Sequence, residues 1–260
     1  MLRFLIPVSA IAALFLASCT TDSGARDDHK KNEAKLPPAQ LAFISIKNQL
    51  AGVDWNKAID GQKLKPVPGL VGFQIGLKVP NLTLALFTRN DQAAKGLTQD
   101  IIDLSKAIDI DDEAVLLQIK DRATRINTMV QDTRADNYGD LLSELAGIEQ
   151  IIKVYFKSRG NDTVIQQVVF GTWLEFLHIS LGVQLNQNLA ESLPGFFSRA
   201  AEISYFREKF KKAGVADPEL EFLKKNEPYL NAPSGKTLTR DQMLALEKSV
   251  GELRARYGVK

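Results

Sequence analysis

Two side chains that could do chemistry, Glu175 and His178, stand three residues apart in the most apolar stretch of the sequence. At this spacing both project from one face of a helix, so a carboxylate and an imidazole could bind one metal ion. Di-iron sites in helical bundles use a Glu-x-x-His pair of this kind, but they need two such pairs and two further Glu side chains. This sequence has no second Glu-x-x-His. Glu175 and His178 are therefore candidate metal ligands, with a hydrogen-bonded polar pair in or beside the core as the simpler interpretation.

Other residue types restrict the chemistry further. The chain has one Cys and two His, which excludes a disulfide framework and a cysteine-based zinc site. We predict no catalytic residue and no cofactor. Because a buried Glu must be paired or protonated, Glu175 is expected to have a polar partner.

The composition is that of a globular protein. Of 260 residues, 45% are hydrophobic and 25% are charged, and the mean hydropathy is −0.12. These values exclude a disordered chain and a protein with many membrane spans. The formal net charge is +2, so nothing in the charge balance indicates a nucleic-acid partner.

The N-terminus has the organisation of a secretory signal. Arg3 supplies a short basic region, and an apolar run of 13 residues follows from Phe4 to Leu16. This run is too short to span a bilayer comfortably, which takes about 20 residues, and it matches the apolar region of a signal peptide. The run leads directly to Cys19, the only Cys of the chain.

The stretch Leu16-Ala17-Ser18-Cys19 resembles the lipobox of bacterial lipoproteins. The resemblance covers residues 1–19 and implies that residues 1–18 are a signal peptide cleaved after Ser18. It also implies that Cys19 carries a diacylglycerol and a further acyl chain such as palmitate. In such lipoproteins an Asp after the Cys commonly retains the protein in the inner membrane. Thr20 holds that position, so the resemblance implies the outer membrane, facing the periplasm.

Residues 19–36 read as the lipidated Cys and a flexible tether. The segment 20–36 has no apolar periodicity, and its four basic and four acidic side chains cancel, as in a disordered linker. A flexible chain of this length reaches roughly 20–25 Å. The tether is therefore long enough to hold a domain clear of the lipid headgroups.

The domain 37–260 reads as an all-α multi-helix bundle. Single apolar stripes at spacings of three and four predict helices separated by short polar loops, which is typical of neighbouring antiparallel helices. Apolar positions between Leu41 and Ile59 also suit a helix, and residues 216–260 are either part of the bundle or a C-terminal appendage. The clearest stripes are Leu97–Ile108, Val115–Val130, Leu141–Tyr155, Ile203–Phe210 and Met243–Tyr257.

The segment 160–186 predicts one buried central helix. It is apolar nearly all round, as expected of a helix enclosed by others. Glu175 and His178 interrupt the apolar run, which makes a transmembrane helix a weak interpretation.

The segment 70–88 allows two structures. Alternating apolar residues from Val71 to Val79, with Pro80 and Asn81 as a turn, would suit a small hairpin. Gly69, Gly72 and Gly76 would instead lie on one face of a helix and allow a second helix to approach closely. A lone hairpin in a helical chain is only marginally stable, so we favour the helix.

These observations predict a lipid-anchored, extracytoplasmic helical protein with a binding or scaffolding role at the bacterial envelope. Its expected partners are the membrane, through Cys19, and an unknown envelope protein or an apolar ligand. The alternative is a metal-binding protein or enzyme centred on Glu175 and His178.

Overall fold

The computed structural model describes residues 50, 52–108, 112–131, 138–194, 196–213, 217–231, 233 and 236–259. Within these residues the chain forms eight α-helices, one short 3₁₀ turn at Trp55–Ala58 and no β-strand. The helices are α1 Val71–Phe87, α2 Asp91–Lys106, α3 Glu113–Gln131, α4 Tyr138–Ser158, α5 Asp162–Asn186, α6 Ala200–Ala213, α7 Asp217–Leu230 and α8 Arg240–Arg256. The predicted all-α bundle is confirmed.

Helix α5 is the buried central helix that its composition predicts. It is the only described helix long and apolar enough to cross a bilayer, but 78% of its most apolar window is buried inside the fold. Asn161 caps the N-terminus of α5, because its side-chain Oδ1 atom accepts a hydrogen bond from the N–H of Val164. The other helices therefore cover the apolar surface that would otherwise face lipid.

Helix α1 is a second central helix, in addition to the one that the sequence predicts. Every residue from Val71 to Leu86 is buried. The alternative hairpin over 70–88 is wrong, because these residues form one helix. The alternating apolar residues from Val71 to Val79 did not indicate paired strands, because a helix buried on all sides is apolar at nearly every position. Pro80 lies inside α1, where it removes the hydrogen bond that the Gly76 carbonyl would otherwise accept.

Glycines let α1 and α5 pack backbone to backbone, as the spacing of Gly72 and Gly76 predicted. A Cβ atom on Gly76 would lie 2.3 Å from the Val168 carbonyl oxygen and 2.8 Å from the Cα atom of Gly171. A Cβ atom on Gly72 would lie 2.6 Å from the Gln167 side-chain oxygen. Only glycine permits helices to approach this closely.

The α1–α5 pair separates two apolar cores. On one side, α2, α3 and α4 pack mainly aliphatic side chains against the pair. On the other side, α6, α7 and α8 enclose a cluster of aromatic rings with edge-to-face and tilted contacts. Its principal rings are Phe73, Phe170, Trp173, Phe206, Phe210, Phe222 and Tyr257.

The C-terminal helix contributes directly to the second of these cores. The ring of Tyr257 is fully buried and stacks on Phe73, with centroids 4.5 Å apart and planes 7° apart. Helix α8 begins with a capping box formed by Thr239 and Gln242, and both of its reciprocal hydrogen bonds are present. A capped, amphipathic helix with its stripe in the core is stabilised both locally and by burial.

Residues 52–70 depart from the helical pattern expected up to Ile59. They contain only the single 3₁₀ turn, capped by Asp54, and then run without regular structure to α1. Trp55 in the 3₁₀ turn and Leu64 in the irregular segment are buried. We call residues 59–69 the strap, because they lie over the polar side of α1.

Candidate functional site

Glu175 lies near the middle of α5 and its side chain is fully buried. Its Oε2 atom accepts from Nε of Arg254 at 2.7 Å. Its Oε1 atom accepts from Nη2 of the same guanidinium at 3.2 Å and from Nδ2 of Asn81 at 2.7 Å. The expected polar partner of Glu175 is therefore present, and both carboxylate oxygens are occupied.

Asp60 of the strap closes these contacts into a ring. Its Oδ2 atom accepts from Nη2 of Arg254 at 2.8 Å, and its backbone N–H donates to Oδ1 of Asn81 at 2.7 Å. The ring of Asp60, Asn81, Glu175 and Arg254 joins the strap, α1, α5 and α8. A buried charge is tolerated only when it is paired and hydrogen-bonded, and this ring supplies the partners that Glu175 and Arg254 need.

A second buried ion pair joins α1 to α2. The Nζ atom of Lys78 lies 3.1 Å from Oδ2 of Asp100, and both side chains are almost fully buried. Lys78 also donates to the backbone carbonyl of Gln62 in the strap. Lys78 was not singled out from the sequence, although a Lys in an apolar helix needs such a partner.

His178 points to a different neighbour from Glu175. Its Nδ1 atom lies 2.7 Å from Oε1 of Glu247 on α8, and the two side chains are 28% and 24% exposed. Positions three apart on a helix differ by about 60° in direction. On a helix packed on several sides, this angle is enough to give Glu175 and His178 separate partners.

The described residues hold no group of three or more His, Cys, Asp or Glu side chains that could bind a metal ion. Glu175 is paired with Arg254, and the His178 Nδ1 atom lies close to Glu247. Chemically, the buried ring serves to bind helices to one another.

Tyr257 and Glu219 form a further buried pair between α8 and α7. The Tyr257 hydroxyl donates to Oε1 of Glu219 at 2.7 Å. Burial raises the pKa of the Glu219 carboxyl, and the hydrogen bond from Tyr257 offsets only part of this increase. Burial also raises the pKa of Tyr257, and the neighbouring Glu219 raises it further.

Three polar side chains on α1 bind the backbone of the strap. Gln74, Lys78 and Asn81 are buried and stand at positions i, i+4 and i+7, so they form one stripe on the helix. We call them the polar stripe. Gln74 accepts from the N–H of Val67 at 3.0 Å and donates to the carbonyl of Lys65 at 2.8 Å. This regular spacing in an otherwise apolar helix is the signal that could have revealed the site.

A small apolar cavity lies between α1, α2, α4 and α5. Its volume of about 20 Å³ leaves room for little more than one water-sized molecule. Seven aliphatic side chains and one lysine line it, namely Ile75, Val79, Ile101, Ile148, Ile152, Ile165, Val168 and Lys153. In this conformation the cavity is too small for a lipid chain or a drug-sized ligand.

The predicted lipidation residue, Cys19, lies outside the described residues, as do the signal peptide and the tether. In comparisons with known proteins, no family model, no curated protein and no solved structure matches this chain.

Proposed function

We propose that this chain is a lipoprotein of the bacterial envelope whose helical domain has a binding or scaffolding role. The observation that carries the proposal is Leu16-Ala17-Ser18-Cys19, which places the only Cys of the chain directly after an apolar signal region. Thr20 favours the outer membrane, with the domain facing the periplasm.

Acyl chains on Cys19 are sufficient for a permanent attachment. Each buried CH₂ group contributes about 0.8 kcal/mol, and a single myristoyl chain gives only marginal binding. Two or three chains on one residue exceed that threshold. The helical domain then needs no membrane-binding surface of its own, which leaves its surface available for partners.

The contacts of Glu175 and His178 argue against the metal-binding alternative. Both oxygens of Glu175 are used within the fold by Arg254 and Asn81. His178 lies against Glu247 at the edge of the core. Each candidate ligand therefore already has a neighbour within the fold, and a binding or scaffolding role remains our proposal.

The membrane attachment is tested by labelling cells with radioactive palmitate. Cys19→Ala should lose the label and leave the membrane fraction, because the acyl chains have no other attachment point in the lipobox. Ser18→Gly is the matched control, since it keeps a small residue before Cys19 and should be labelled like the wild type. Palmitate incorporated into the Cys19→Ala protein would contradict the proposal.

Two further measurements test the outer-membrane location and the metal-binding alternative. Thr20→Asp should move the protein from the outer to the inner membrane in a density-gradient separation. Elemental analysis of the purified protein should find no stoichiometric iron, zinc or manganese. A stoichiometric metal that disappears in His178→Gln would instead establish the metal-binding alternative.

A further inference from the structure

We infer that the polar stripe of α1, together with Arg254 of α8, is a peptide-binding groove that the chain fills with its own strap. The groove takes an extended peptide with a carboxylate followed four residues later by a large aliphatic side chain. The inference rests on the binding role proposed above, and it names the partner: an extended segment of another protein with this pattern.

The stripe binds the strap through main-chain atoms. Gln74 binds the N–H of Val67 and the carbonyl of Lys65, while Lys78 binds the carbonyl of Gln62. Asn81 accepts from the N–H of Asp60 at 2.7 Å. Any extended peptide presents these same groups, so a second segment can reproduce the bonds. Main-chain recognition of an extended segment is a common mode of peptide binding.

Each groove side chain also has a partner outside the strap. Gln74 also donates to the Tyr257 carbonyl at 2.9 Å, and Lys78 also pairs with Asp100. Asn81 donates to Glu175 at 2.7 Å. Arg254 likewise keeps Glu175 as a partner when Asp60 is removed. Because each groove side chain has a second partner inside the body of the fold, the site is preorganised for a ligand.

Two strap side chains define the preferred sequence. The Asp60 carboxylate pairs with Arg254 at 2.8 Å, and Leu64 is 5% exposed within the aromatic side of the core. Between them, a Cβ atom on Gly61 would meet nothing within 4 Å. Gln62 donates to the Gly258 carbonyl at 3.4 Å, and the largely exposed Lys63 pairs with Asp103 at 3.5 Å. The buried contacts therefore specify Asp-x-x-x-Leu, and the exposed contacts at the intervening positions restrict the sequence less.

The strap lies outside regular secondary structure beyond Ile59, whose N–H closes the 3₁₀ turn on the Asn56 carbonyl. The strap meets α1 at Gly69, whose φ of +77° is a conformation that glycine adopts without strain. The strap competes as a tethered ligand, with an effective concentration in the millimolar range. A free peptide should therefore bind the groove more tightly when the contacts between the strap and the groove are weakened.

The test uses a fluorescent peptide of sequence 55–68 and the full chain purified in mild detergent. Leu64→Ala in the chain removes a buried part of the strap while leaving the groove intact. The peptide, which keeps its leucine, should bind this variant at least tenfold more tightly than the wild type. Asp60→Asn in the chain is a second strap variant and should change the affinity in the same direction.

A peptide with Asp60→Arg is the matched control, because it places a positive charge opposite Arg254 and should bind at least tenfold more weakly. On the wild-type chain, millimolar peptide should accelerate hydrogen exchange at the amides of Asp60 and Val67. The inference is overturned by equal binding of both peptides, by no saturable binding to folded strap variants, or by unchanged amide exchange. None of these results affects palmitate labelling, so a failure here is distinct from a failure of the proposed lipid anchor.

Discussion

Replacing Gly76 by alanine places a methyl group where the backbones of α1 and α5 meet. The added Cβ atom would lie 2.3 Å from the carbonyl oxygen of Val168 and 2.8 Å from both the Cα atom of Gly171 and the backbone nitrogen of Thr172. All three neighbours are backbone atoms, so no side chain can rotate away. The two central helices must move apart.

The size of the effect follows from two opposing contributions. Overpacking a core typically costs about 1–3 kcal/mol, and contact with a rigid backbone places Gly76→Ala at the upper end of that range. Alanine in place of glycine stabilises a helix interior by up to about 1 kcal/mol. We therefore expect Gly76→Ala to lower the free energy of unfolding by about 2 kcal/mol.

Gly182→Ala on α5 is the matched control. A Cβ atom there would meet nothing within 4 Å, so only the gain in helix propensity remains and the variant should be neutral or slightly stabilised. Urea unfolding followed by circular dichroism measures both variants. Gly76→Ala should lower the urea midpoint by about 0.7–1 M at an unchanged slope.

Equal midpoints for Gly76→Ala and Gly182→Ala would refute the close approach of α1 and α5. Gly171→Ala supplies a second check, because its Cβ atom would lie 2.4 Å from the Phe73 carbonyl oxygen. One separation of the helices accommodates both methyl groups. The double variant should therefore be less destabilised than the sum of the single variants.

Two further predictions concern side chains. Trp173 is 8% exposed and packs against the Phe206 ring with centroids 5.2 Å apart, so Trp173→Ala should cost about 3–5 kcal/mol in denaturant melts. His178→Gln should cost no more than about 1 kcal/mol in the same melts, because the imidazole is partly exposed; a cost for it equal to that of Trp173→Ala would contradict its place at the edge of the core. Glu219 has a pKa raised above its ordinary value of 4.5 by burial. The proton is therefore bound more tightly in the folded state, and this contribution to stability is full below pH 4.5 and is lost as the pH rises through the folded pKa. The stability of the wild type relative to Glu219→Gln should consequently fall as the pH is raised from 4.5, and urea melts in which this difference is constant or grows would refute the assignment.

The elements with a strong local signal were predictable from the sequence. Helix α8 shows its capping box at Thr239 and its stripe from Met243 to Tyr257 within one short segment. The nearly uniform apolar character of α5, interrupted by Glu175 and His178, likewise predicted a buried helix and disfavoured a transmembrane one. In α1, the marginal stability of a lone hairpin correctly favoured a helix, and the spacing of Gly72 and Gly76 correctly predicted the close approach of a second helix.

The partners of the buried charges could not be predicted, since they depend on contacts between distant parts of the chain. Arg254 lies 79 residues after Glu175 and 194 residues after Asp60. In the sequence it follows the core position Leu253 and looks like an ordinary surface residue of an amphipathic helix. The spacing of Glu175 and His178 suggested that the two side chains could act together, but each has a different neighbour. Spacing along a helix does not determine which residues of other helices a side chain contacts.

The buried charge in α5 also affects how the chain is exported if it is a lipoprotein as proposed. During N-to-C translocation α5 leaves the cytoplasm before α8, so Glu175 crosses the translocation channel without its partner Arg254. An ionised side chain at the centre of a membrane segment disfavours lateral insertion by about 2.5–3.5 kcal/mol. Glu175 therefore opposes the arrest of α5 in the bilayer as a stop-transfer segment. A leucine at this position would remove that barrier and turn a helix of the exported domain into a candidate membrane anchor.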